Sequence, residues 1–139
     1  MDLILWRHAE AEDELELGGD LARRLTPKGE KQASRMASWL DRQLPDGARI
    51  YASPAVRTEQ TVVALGRKYR LRDELAPDST PEQLLQLVQW PQVKGATLVV
   101  GHQPTLGRVI AQLLELREPE CTVRKGAAWW LRQRERDGV

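Results

Sequence analysis

Three short apolar runs in this chain stop abruptly at polar groups. Leu3-Ile4-Leu5-Trp6 ends at Arg7-His8, Arg49-Ile50-Tyr51-Ala52 ends at Ser53-Pro54, and Leu98-Val99-Val100 ends at Gly101-His102-Gln103-Pro104. Continuous apolar runs of this length read as strands covered on both faces. Between them lie segments with helix-start chemistry and helical spacing. Thr26-Pro27 opens a helix to about residue 44, since Thr caps a helix and Pro suits its first turn. Ala33, Met36, Ala37, Leu40 and Leu44 form its apolar stripe, and Pro45-Asp46-Gly47 ends it. Ser53-Pro54 repeats the signal for a helix to about Tyr69, with Ala55, Val62, Leu65 and Tyr69 on one face. Thr80-Pro81-Glu82-Gln83 has capping-box spacing before a Leu-rich helix ending near Trp90-Pro91. Another helix follows Pro104, with the stripe Leu106, Val109, Ile110, Leu113 and Leu114.

Strands alternating with helices predict an α/β chain: a three-layer α/β/α sandwich, a mostly parallel sheet with helices on both faces. A weak strand is expected near 71–75, and two closing strands near 121–125 and 127–134, separated by Gly126. At 139 residues the chain reads as a single domain, 1–139, with room for one core. A formal net charge of +1 gives no global pull toward nucleic acid or an anionic membrane, so neither is an expected partner. The one cysteine, Cys121, can form no internal disulfide and reads as a buried thiol. The first apolar run is too short for a signal peptide or membrane span, which makes a cytoplasmic location the expectation.

In open α/β sheets, ligands bind just outside the carboxyl ends of the strands. Here those ends carry Arg7 with His8, Arg57 one turn into its helix, and His102, the chain having two histidines in all. Arginine forks match phosphoryl oxygens, and helix N-termini favour anions. Two arginines, two imidazoles and a helix start at one point would therefore make a pocket for a phosphoryl dianion. A neutral imidazole, with an ordinary pKa of ~6.5, is also a competent nucleophile toward phosphorus. The sequence carries no Walker-type loop, Asp-rich cluster or Cys-based phosphate loop. Histidine attack requires no metal, and neither metal nor cofactor is expected.

Four stretches bring in a family resemblance. Arg7-His8-Ala9 resembles the Arg-His-Gly signature of the histidine phosphatase superfamily, whose fold is that of phosphoglycerate mutase. Ser53-Pro54-Ala55-Val56-Arg57-Thr58-Glu59-Gln60-Thr61 resembles its Ser-Pro-x-x-Arg segment, and Gly101-His102-Gln103-Pro104 its second-histidine segment. The run from Asp20 to Gly29 resembles the stretch that opens its first helix, with Arg24 where Pro is usual and Ala9 where Gly is usual. The short length is similar to that of the SixA-type phosphohistidine phosphatases. The resemblance implies one histidine phosphatase domain in which His8 becomes phosphorylated while Arg7, Arg57 and His102 hold the phosphoryl group. Arg23 is a further candidate for phosphate binding, the alternative being a solvated role.

Alkyl phosphate esters need a proton on the leaving group, whereas a phosphorylated imidazole can depart without one. The region after residue 75 offers Glu74, Asp78 and Glu82 as candidate acids but no family acid motif. The leading expectation is a metal-independent phosphatase for phosphohistidine on a phosphotransfer (HPt-type) domain. The alternatives are a phosphatase for a small sugar or nucleotide phosphate, or a non-catalytic phosphoprotein-binding module. The last has no need of the nucleophile. The Glu10–Glu16 stretch reads as a solvated loop, Trp129-Trp130 as core and edge packing, and the basic cluster from Arg132 to Arg136 as a frayed tail.

Overall fold

The computed structural model describes residues 1–13 and 19–134. Five strands form one sheet: β1 (Asp2–Arg7), β2 (Arg49–Ala52), β3 (Arg70–Leu71), β4 (Ala96–Gly101) and β5 (Ala128–Arg132), in the order β3-β2-β4-β1-β5. β1 pairs β4, β4 pairs β2 and β2 pairs β3 in parallel, and β5 runs antiparallel along the outer edge of β1. Four helices flank the sheet: α1 (Pro27–Gln43), α2 (Val56–Val63), α3 (Pro81–Val88) and α4 (Thr105–Leu113).

The strand alternation sorts the core into two layers. Ile4, Trp6, Ile50, Ala52, Leu98 and Val100 face α1 and α2, packing on Ala37, Leu40 and Val62. Leu3, Leu5, Val99 and Leu131 face α3 and α4, packing on Leu84, Val88, Leu106, Val109 and Ile110. The α/β/α sandwich and its mostly parallel sheet are therefore as expected. The Thr26 hydroxyl accepts from the Gly29 amide at 3.0 Å, and Thr80 with Gln83 completes the reciprocal cap of α3. Among the described residues, no helix is long and apolar enough to cross a membrane.

Several boundaries differ from expectation. α2 stops at Val63 and not near Tyr69, because the chain tightens into turns that reach Gly66 at φ 73°. Leu65 and Tyr69 still pack on the first core from beyond the helix. β3 covers only Arg70–Leu71, and Asp73–Leu75 forms a 3₁₀ turn that buries Leu75. Residues 121–125 form no strand, because β5 already occupies the free edge of β1. That segment is instead tied to α4, with the Cys121 amide bonded to the Gly107 carbonyl at 2.9 Å.

Some side chains also depart from expectation. Cys121 is half-exposed rather than buried. Leu114 lies beyond α4 and is 47% exposed. Arg132 is not part of a tail: it belongs to β5 and forms a two-pronged pair with Asp2 at 2.9 Å. Trp130 packs on the first core and Trp129 on the second, as read. In the acidic loop, residues 14–18 lie outside the described set, as does the tail from 135. What precedes the gap is docked rather than simply solvated, since Ala11 bridges Leu25 and Glu10 bonds Thr26.

Candidate active site

The sheet register explains why residues distant in sequence meet. Arg7 lies opposite Gly101, so His8 and His102 are the next residues off adjacent parallel strands, and the His8 amide donates to the Gly101 carbonyl at 3.1 Å. Their ring centroids are 5.3 Å apart. Ala52 lies opposite Val100, which brings Ser53 to the same edge, and its Oγ is 2.7 Å from Nε2 of His102. In the first turn of α2, Arg57 reaches back with Nη2 3.3 Å from Nδ1 of His102. His8, Arg57 and His102 retain only 5%, 3% and 3% of their exposure.

Hydrogen-bond chemistry fixes the proton on each ring. Nδ1 of His8 sits 2.8 Å from the Ala9 carbonyl, which can only accept, so Nδ1 carries hydrogen and Nε2 keeps its lone pair. Arg57 can only donate, so Nδ1 of His102 accepts and its Nε2–H donates to Ser53. The two imidazoles are thus opposite tautomers. Burial, eased by the Ala9 bond but reinforced by Arg57, Arg7 and Arg23, lowers His8 from its ordinary 6.5 to about 4. Burial and Arg57 likewise lower His102 to about 3. Both rings are neutral at pH 7, as a nucleophile must be.

The arginines have two kinds of partner. Arg7 donates from Nη1 to the Val123 carbonyl at 2.9 Å, and burial followed by the neighbouring Arg57 charge lowers its pKa. Arg57 donates to the Asp20 carbonyl at 2.7 Å and to its carboxylate at 3.0 Å. Arg23 donates to the other oxygen of that carboxylate at 3.0 Å, which joins it to the cluster. The Nε–H groups of Arg7 and Arg57 are buried with no hydrogen-bond partner. Among the described residues, no group of three or more His, Cys, Asp or Glu stands ready to hold a metal ion.

Comparison with known proteins identifies the family. The family model of the histidine phosphatase superfamily (branch 1) matches residues 3–78. The phosphohistidine phosphatase SixA of Escherichia coli K12 is 31% identical over 122 residues, covering 81% of this chain and 74% of the relative. The chain belongs to the histidine phosphatase superfamily. Solved structures agree on the fold of this histidine phosphatase. The protein histidine phosphatase SixA complexed with tungstate superposes with a TM-score of 0.76 at 24% identity, covering 94% of each chain. Phosphoglycerate mutase from Thermus thermophilus gives a TM-score of 0.67 at 21% identity, covering 94% of this chain and 92% of that one.

Within this histidine phosphatase, the sequence-predicted residues fall into two groups. His8, Arg57, His102 and Arg23 lie in one cluster joined by hydrogen bonds and by the tilted contact of the two rings, with Arg7 beside them on β1. The candidate acids do not join it. Glu74 pairs with Arg72, whose hydrogen bond holds its carboxyl below the ordinary range, while Asp78 and Glu82 are exposed. Sequence reading missed three contributors. Asp20 bridges Arg23 and Arg57, Ser53 holds the tautomer of His102, and the Thr61 hydroxyl links the Ala9 amide (3.1 Å) to the Arg57 carbonyl (2.7 Å). Ser53 does not cap α2, where Ala55 is the cap residue. All three lay inside the matching segments, but their partners follow from tertiary register. Ala9 needs no glycine here, because its methyl is absorbed by Ala11, Leu25 and Ala33.

Proposed function

We propose that this phosphatase hydrolyses phosphohistidine on a protein, a phosphotransfer domain of a relay, with His8 as its nucleophile. The observation that carries the reading is the fixed tautomer of His8: a neutral, desolvated ring with Nδ1–H engaged and the Nε2 lone pair uncommitted. Nε2 forms a bond to phosphorus as the phosphorus–nitrogen bond of the substrate breaks, its electron pair returning to the departing imidazole. The His8 ring gains positive charge, which the Ala9 carbonyl stabilises through Nδ1–H. Water then attacks phosphorus, the bond to Nε2 breaks, and phosphate leaves. Arg7, Arg57 and Arg23 neutralise the phosphoryl oxygens, while His102, with its one N–H on Ser53, holds Arg57 through Nδ1.

The substrate class follows from protons. Asp20 is the carboxylate bonded into the cluster, and the hydrogen bonds from Arg23 and Arg57 outweigh its burial and keep its pKa below the ordinary value. An ionised carboxylate cannot protonate a leaving group. An imidazole leaving group asks for no such donor, and SixA of Escherichia coli is named for that substrate. The setting this implies is the cytoplasm, where relay domains are phosphorylated.

The test compares hydrolysis of a phosphohistidine-bearing phosphotransfer protein with a panel of sugar and aryl phosphates. Phosphohistidine and activated aryl phosphates should turn over and alkyl phosphates should not. Wild type should carry an acid-labile phosphate adduct, and His8→Ala should lose both turnover and label while staying folded. An acid-stable adduct, or full turnover in His8→Ala, would sink the mechanism. Good activity on a sugar phosphate, lost on changing Glu74, Asp78 or Glu82, would move the assignment to a small-molecule phosphatase.

A further inference from the structure

The Asp20 carboxylate spends both oxygens on cations that the reaction needs. Oδ1 accepts from Arg23 and Oδ2 from Arg57, each at 3.0 Å, while the Asp20 carbonyl takes a second bond from Arg57 at 2.7 Å. This is the way a phosphoryl group bridges two guanidiniums. The carboxylate is also the more exposed member of the pair: its side chain is 42% exposed against 4% for that of Arg57. A phosphoryl group that takes up Arg23 and Arg57 must therefore take the place of the Asp20 carboxylate.

We propose that Asp20 sets the anion specificity of this site, as a resident carboxylate that a phosphoryl dianion must displace from Arg23 and Arg57. The inference rests on the reading of the cluster as a phosphoryl site. Its physical content is a competition between charges. A tethered carboxylate competes at high effective concentration, so a free monoanion gains nothing per contact that Asp20 does not already supply. A phosphoryl group carries close to two negative charges above its second pKa of ~6. It therefore gains more from each arginine than the single charge it replaces. Displacing Asp20 thus weakens every anion by one fixed factor, which leaves carboxylates and other monoanions below useful affinity while a dianion still binds. Asp20 also keeps the buried Arg57 charge paired between turnovers, a group costly to leave alone.

Removal of the charge tests this. Asp20→Asn keeps the shape and the backbone carbonyl bond to Arg57 but leaves a weak neutral acceptor. Its affinity for inorganic phosphate at pH 8, read by calorimetry, should rise roughly tenfold, the gain expected if the carboxylate holds the arginines about nine-tenths of the time. Formate, which wild type should bind barely, should become a measurable competitor. KM for an aryl phosphate should fall more than kcat changes, which a merely structural loss would not produce. Asp20→Ser should behave alike if Asp20→Asn proves poorly folded. Arg57→Ala should bind phosphate weakly in either background. Unchanged or weaker phosphate binding in folded Asp20→Asn and Asp20→Ser, with wild type binding normally, overturns this proposal alone. A wild-type protein that binds no phosphate overturns the phosphoryl-site reading and this proposal with it.

Discussion

His8 and His102 are chemically identical side chains with opposite assignments, and the difference lies in what each Nδ1 faces. A carbonyl demands a proton there, and a guanidinium forbids one. With two histidines in the chain, this is directly measurable by nitrogen-15 NMR. One ring should show the Nδ1–H pattern and the other Nε2–H, and neither should titrate with a midpoint near 6.5. A pair of rings titrating at ordinary values, or sharing one tautomer, would remove the basis for His8 as nucleophile. At this scale the sequence put Arg7, His8 and His102 at strand ends, which announce themselves by abrupt polarity, and Arg57 at the start of the helix after Ser53-Pro54, and the structure brings the four together. Asp20 and Thr61 stayed hidden because an acidic loop residue and a helical threonine look the same whether they bond Arg57 or water.

Elements were legible where a signal is local and covalent. Thr26-Pro27 and Thr80-Pro81 opened α1 and α3 where expected, since capping depends on residues three apart. Ends were less legible: Gly66 terminated α2 inside an apolar periodicity that continued to Tyr69, and strand 121–125 failed because an edge can be occupied only once. One junction carries the site. α1 docks its first turn on the segment just after His8, where a methyl on Gly29 would lie 2.0 Å from the Glu10 carbonyl oxygen. In an ordinary helix Gly→Ala stabilises by about 1 kcal/mol. Here the clash is with backbone, and Gly29→Ala should instead destabilise by about 1–3 kcal/mol, the usual cost of overpacking. Gly47→Ala, where the added carbon meets nothing within 4 Å, is the control and should be nearly neutral. Chemical denaturation measures both. Because Glu10 follows Ala9, Gly29→Ala should also depress kcat/KM, and a stable, fully active variant would show that α1 does not position the nucleophile.

For the whole molecule, the site's electrostatics set how the fold responds to acid. Both histidines have folded pKa values, about 4 and about 3, below the ordinary 6.5 of the unfolded chain. Between these values the unfolded state binds protons that the folded state refuses, so stability rises with pH there and falls as pH drops. The histidine contribution is complete above pH 6.5 and erodes from there toward 4, with a slope of up to about 1.4 kcal/mol per pH unit for each ring. The carboxylates act lower. Asp2, lowered chiefly by its hydrogen bond from Arg132, and Asp20, lowered by Arg23 and Arg57 against its burial, add stability above the ordinary carboxylate value of 3.8 and lose it below. Acid unfolding should therefore come in two windows, one set by the active-site rings and a lower one by paired carboxylates. Urea titrations between pH 7.5 and 5 should show a wild-type stability that is level at first and declines below about pH 6.5. In the His8→Gln, His102→Gln double variant that decline should flatten, whatever its stability at pH 7.5. A wild-type stability that is level from pH 7.5 to 5 would mean that the two rings are solvated, and that the desolvated nucleophile is not a property of this fold.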